Sequence, residues 1–153
     1  MTQRTTRFTL AAGALLLATG GALAQIEKAP PLPFDTPQQM RDFEAVCTGI
    51  GSDARNDPRW MEYPLRVEVV GTAGQYLGEA QVTVNKGKEA LVSVTCGGPW
   101  VLFRIPPGAY EVSVDVEGTT KSGRVVVGTK GQARIPIRFP EVGGATSPEY
   151  VPK

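Results

Sequence analysis

The sequence predicts an all-β fold, a seven-stranded antiparallel β-sandwich with a short N-terminal helix. Three observations carry this expectation. Apolar and polar residues alternate from Leu65 to Phe139, Gly, Pro and Asn interrupt the alternation at short intervals, and two cysteines, Cys47 and Cys96, can staple the short helix and its loop onto the sandwich.

The strands are read in order. Leu65, Val67 and Val69 alternate with Arg66 and Glu68, and Ala80, Val82 and Val84 alternate with Gln81 and Thr83. Val92 and Val94 continue the pattern, as do Val101, Phe103 and Ile105. Tyr110, Val112, Val114 and Val116 then alternate with Glu111, Ser113, Asp115 and Glu117. Val125 and Val127 follow, and last come Ala133, Ile135, Ile137 and Phe139 around Arg134 and Arg138. Turn residues separate the runs at 71–74, 85–87, 106–108, 118–119 and 128–131. One apolar face per strand is the pattern of two antiparallel sheets packed face to face. Pro136 has no N–H for a ladder, so the last strand belongs at a sheet edge.

Upstream of the strands the composition changes. Residues 1–24 read as a signal peptide: Arg4 and Arg7 precede the apolar run from Phe8 to Leu23, which closes on the small-x-small pattern Ala22, Leu23, Ala24. The run is too short and too rich in Ala, Gly and Thr for a spanning helix, so no stable membrane span is expected in the mature chain. Cleavage near Ala24 would leave a periplasmic or secreted protein. Residues 25–35 read as a Pro-rich linker, and residues 36–63 as a short helix and loop packed on the sandwich. The β domain is placed at 64–140 and a flexible tail at 141–153. Thr36 as a cap, Pro37 in the first turn, and Met40, Phe43 and Cys47 at helical spacing predict a helix over residues 37–46. The strand at 100–105 is apolar on both faces, since Trp100 and Leu102 lie opposite Val101 and Phe103. Its outer face therefore needs cover, which the helix would supply through Met40 and Phe43.

Composition excludes several chemistries. Without residues 1–24 the chain carries 14 Lys and Arg against 15 Asp and Glu, and no basic block. Nucleic acid is not an expected partner. No histidine occurs, so Ser-His-Asp and Cys-His schemes and His-ligated metals are out of reach. Cys47 and Cys96 are not in a C-x-x-C arrangement, and in an exported domain they read as one structural disulfide. Neither Gly-rich phosphate-binding signature is present. No cofactor or metal is expected.

Residues 103–114 (FRIPPGAYEVSV) run from an aromatic strand through a Pro-Gly turn to a Tyr that opens the next alternating strand. Residues 78–84 (GEAQVTV) open a strand in a similar style. Together they resemble carboxypeptidase regulatory-like domains, which are transthyretin-like (prealbumin-type, Ig-like) β-sandwiches. The resemblance covers about residues 65–140. It implies a fold and no activity, because such modules serve as structural add-ons and binding modules. It does not carry over the hydroxyisourate hydrolase activity of transthyretin-like enzymes, whose sites use histidines. In the motif itself, Pro106 and Pro107 fix φ, Gly108 permits a positive φ, and Tyr110 buries its ring while its hydroxyl seeks a backbone acceptor.

The candidate site residues lie in the polar loop at 48–63. Trp60 and Tyr63, with Arg59 and Asp57, would form a binding surface for a protein or glycan partner. Their simpler role is packing, with Asp57 and Asp53 capping turns and pairing with Arg59 or Arg55. The expected function is a non-catalytic binding or structural accessory protein of the bacterial cell envelope, monomeric, acting through loops or a sheet edge. Two alternatives stand beside it. A carbohydrate-binding module needs Trp60 and Tyr63 exposed and coplanar. A carboxylate-based hydrolase needs two of Asp53, Asp57 and Glu62 in one cleft, with one pKa raised.

Overall fold

A computed structural model of the protein describes residues 28–71 and 74–140. Residues 1–24, read above as a signal peptide, the whole predicted tail 141–153 and the start of the linker lie outside the described residues.

The chain forms β1 (Gln38–Met40), β2 (Phe43–Thr48), α1 (Gly51–Asn56), a 3-10 turn (Pro58–Glu62), β3 (Leu65–Gly71), β4 (Ala80–Lys86), β5 (Glu89–Cys96), β6 (Trp100–Arg104), β7 (Gly108–Val116), β8 (Thr119–Val127) and β9 (Ala133–Phe139). These make two sheets, ordered β1-β2-β6-β3-β9 and β5-β4-β7-β8. All seven expected strands are present, as β3 to β9. Every pairing between described strands is antiparallel except one: β9 runs parallel to β3, with Val67 beside Ile135 and Val69 beside Ile137. The expectation of a purely antiparallel arrangement is corrected there. As Pro136 requires, β9 lies at a sheet edge.

Both sheets turn their apolar rows toward one core. Leu65, Val67, Val69, Val101 and Phe103 come from the first sheet, and Val82, Val84, Val94, Val112 and Val114 from the second. All ten are fully buried, each contributing roughly 1.5–3 kcal/mol in transfer terms. The β7–β8 hairpin turns on Glu117 and Gly118, both at positive φ (52° and 84°), as a two-residue turn between twisted strands prefers. Gly108 is a small correction: it opens β7 without a positive φ. The Tyr110 hydroxyl donates to the Pro106 carbonyl at 2.7 Å, so the ring is buried and its polar end satisfied.

The expected helix over 37–46 is a hairpin instead. β1 and β2 pair antiparallel about Arg41 and Asp42, with Met40 opposite Phe43 and Gln38 opposite Ala45. Arg41 takes φ 56° to make the turn. Of the residues read at helical spacing, Phe43 and Cys47 also fall on one side of a two-residue alternation with Ala45, and that alternation prevails because β2 has β6 to pair with. Phe43, Ala45 and Cys47 point to the main core, while Val46 points to the outer side of the sheet. Met40 and Phe43 therefore pack on the core and not on Trp100 and Leu102.

The outer face of β6 is covered, though by other residues. Leu102 is enclosed by Val46, Trp60 and Tyr63. Trp100 lies under the Arg66 guanidinium, 4.1 Å from its ring centre, and meets Tyr76 edge-on at 6.0 Å. Arg66 is itself buried and paired with Glu68 at 2.6 Å. The only α-helix among the described residues, α1, buries no residue, and no described helix is long and apolar enough to cross a membrane.

The disulfide Cys47–Cys96 joins β2 of one sheet to β5 of the other, with both residues fully buried. Residues 29–35 form a strap across this side of the molecule, where the sequence suggested a linker without core contacts. Pro31 bridges Thr95 of β5 and Phe34 bridges Cys47 of β2, both in parallel sense. Ala29 and Leu32 are buried, and Leu32 belongs to the main core.

Candidate binding site

The four residues singled out in the 48–63 loop are close together, but Trp60 and Tyr63 are committed to packing, while Arg59 is exposed and pairs with Asp57. Asp57 caps the 3-10 turn by accepting from the Arg59 N–H at 3.0 Å, and Pro58 starts that turn. The turn delivers Trp60 inward, and both Trp60 and Tyr63 are only 2–3 % exposed. Gln132 holds the loop from below by donating to the carbonyls of Trp60 and Tyr63, at 2.6 and 3.0 Å. Arg59 lies over the Trp60 ring at 4.6 Å and pairs with Asp57 at 2.6 Å. That pairing holds the Asp57 carboxyl below its usual range.

Tyr63 donates to Glu44 at 2.7 Å, and Arg104 bonds the same carboxylate at 3.2 Å while stacking 4.7 Å above the Tyr63 ring. Burial, followed by the hydrogen bond to ionised Glu44, pushes the Tyr63 hydroxyl up to about 12. The Tyr63 hydrogen bond in turn lowers the Glu44 carboxyl. The Trp60 and Tyr63 rings are 6.1 Å apart and tilted by 59°. A sugar platform needs exposed, coplanar rings, and these are neither. The hydrolase reading needed a raised carboxyl, and Asp57 is held low; Asp53 accepts from the Ser52 hydroxyl and Glu62 is exposed.

A concave site does exist on the strapped side. β1 and β5 are each the last strand of their sheet, and a groove of about 480 Å³ lies between them. Pro30, residues 39–41 and residues 90–93 line it. Met40, Leu91 and Val92 make it partly apolar, and among the described residues Arg41 is the only charged one in its lining.

The backbone along β5 explains why this groove stays open. Thr95 points its N–H and C=O away from β4, donating to the Pro30 carbonyl and accepting from the Leu32 N–H, at 2.9 and 2.8 Å. By the two-residue period of a strand, Ser93 points the same way. A parallel ladder continued along the strap would bring the N–H of residue 30 to the Ser93 carbonyl. Residue 30 is proline and has none. The Thr95 hydroxyl bonds the Ala29 carbonyl at 2.8 Å, and the pairing ends there. No other described backbone group meets Ser93. Further down, β5 bulges where Val84 pairs with Val92 but Asn85 pairs with Ala90. Sequence reasoning named an unpaired sheet edge without saying which; Pro30 and Pro31 before a buried Leu32 were the available signal.

Comparison of the chain with protein-family models gives no match, and comparison with curated proteins gives none either.

Proposed function

We propose that this chain is an exported, non-catalytic binding protein of the cell envelope, built on a transthyretin-like β-sandwich of the carboxypeptidase regulatory-like kind. Its site is the groove between β1 and β5, where an extended segment of a partner adds to the β5 edge. The observation that carries this reading is the outward-facing Ser93 backbone, which no described backbone group meets and whose carbonyl Pro30 has no N–H to serve, beside a partly apolar groove. Strand addition needs those two features: main-chain groups for affinity and pockets for alternate side chains. Export is supported by residues 1–24 and by a buried disulfide, a bond that persists in oxidising compartments. The Tyr110–Pro106 hydrogen bond fits the physical reading of the Pro-Pro-Gly-Ala-Tyr segment, in which the tyrosine hydroxyl finds a backbone acceptor.

The test is a selection of short displayed peptides against the mature domain, with recovered binders compared on wild type and Ser93→Pro. The variant removes the outward N–H, and its melting curve verifies the fold. The expected result is a set of extended peptides that lose binding to Ser93→Pro. Selection that yields nothing, or binders indifferent to a folded Ser93→Pro, overturns the proposal.

A further inference from the structure

We infer that the partner segment is short, extended and acidic, and that it lies end to end with the strap in the same row along β5. This rests on reading the β5 edge as the binding site and adds the length and charge of what enters it. The strap occupies the edge at Thr95, and Pro30 both ends that pairing and lines the groove. At the other end β5 begins at Glu89, directly after the turn from β4. Among the described residues the stretch left open along the groove is residues 90–93, with the bulge at Leu91 inside it, and at about 3.3 Å per residue it admits roughly four to five residues of extended chain. A longer strand would have to dislodge Leu32 from the core, where it is 7 % exposed.

The charge follows from Arg41. It is held at the β1–β2 turn on the groove wall, and its guanidinium makes no ion pair with any described residue. Arg59, Arg66 and Arg104 all have carboxylate partners. A segment with alternating apolar residues would set them against Met40, Leu91 and Val92, and a carboxylate at its end would meet Arg41. The partner is thus a protein with an exposed acidic strand or tail. A basic segment would bring like charge to Arg41, the only charged residue in the described lining.

Three capped pentapeptides, EVTVE, QVTVQ and KVTVK, provide the test, titrated into the mature domain while amide shifts are followed by NMR at low salt. The acidic peptide is expected to bind about three- to tenfold more tightly than the basic one, as one exposed charge pair allows. Its binding should shift the Ser93 amide and leave the Leu32 amide protected. In Arg41→Glu the preference should reverse, and in high salt it should fade. Equal binding of all three peptides at Ser93 overturns the charge assignment and leaves the edge site standing. Loss of Leu32 protection overturns the end-to-end placement. Binding of none, or shifts away from β5, overturns this inference and the edge site together.

Discussion

Removing the Cys47–Cys96 disulfide gives the sharpest test of how the two sheets are held. The cysteines are 49 residues apart in sequence and bridge strands of opposite sheets. A cross-link closing a loop of that length lowers the entropy of the unfolded chain by an amount worth about 4 kcal/mol at 25 °C. Both residues are fully buried, so replacing them with alanine also leaves unfilled space in the core, costing about 1 kcal/mol more. For a domain of this size, ~4–5 kcal/mol corresponds to a fall of roughly 15–20 °C in melting temperature. The assay is urea and thermal unfolding of the oxidised mature protein beside Cys47→Ala/Cys96→Ala. A loss below about 1 kcal/mol would refute the reasoning, since it would mean that the strap and β2 hold their places without the bond. The burial adds a kinetic corollary: reductant without denaturant should act only as fast as the domain opens.

Other positions allow independent tests. Trp60→Ala should cost about 3–5 kcal/mol in unfolding experiments, because the indole is buried over Leu102, and should leave peptide binding at the groove unchanged. Tyr110→Phe should cost about 1 kcal/mol through loss of the bond to the Pro106 carbonyl, read in the same way. The Tyr63 hydroxyl ionises at about 12 in the folded state, above its unfolded value of about 10. Its contribution is therefore fully present below pH 10 and lost as the pH rises toward 12. Tyr63→Phe should show a shallower stability loss over that window in pH-dependent denaturation.

Strand content was legible because it is written in period two. The runs around Val67, Val82, Val101, Val112 and Ile135 each present an apolar face, and each forms a strand with that face in the core. The disulfide was legible from two cysteines, not spaced as C-x-x-C, in a chain whose first 24 residues read as a signal peptide. The hairpin at 38–48 was not. Phe43 and Cys47 fit a helical stripe and a β alternation alike, Met40 fits only the first, and a six-residue strand wins because β6 offers a partner that sequence cannot display. The parallel β3–β9 pair was hidden for the same reason, since strand direction is a property of the connections between sheets.

The loop at 48–63 shows where residue type misleads. Tryptophan and tyrosine serve binding surfaces and packing alike, and the outer face of β6 needed cover that the missing helix did not provide. Trp60 and Tyr63 supply it. The groove was nearly invisible in sequence, because an open edge is defined by the strands that are not beside it. What sequence did contain was Pro30, whose missing N–H halts the pairing that Thr95 begins.

Hydrogen exchange at the Ser93 amide, measured free and with the EVTVE peptide, tests the central claim most directly. The edge account predicts fast exchange in the free domain, beside a protected Thr95 amide, and slowing of at least tenfold when the peptide is bound. A Ser93 amide already protected in the free domain, or one that exchanges equally fast with and without peptide, would contradict it.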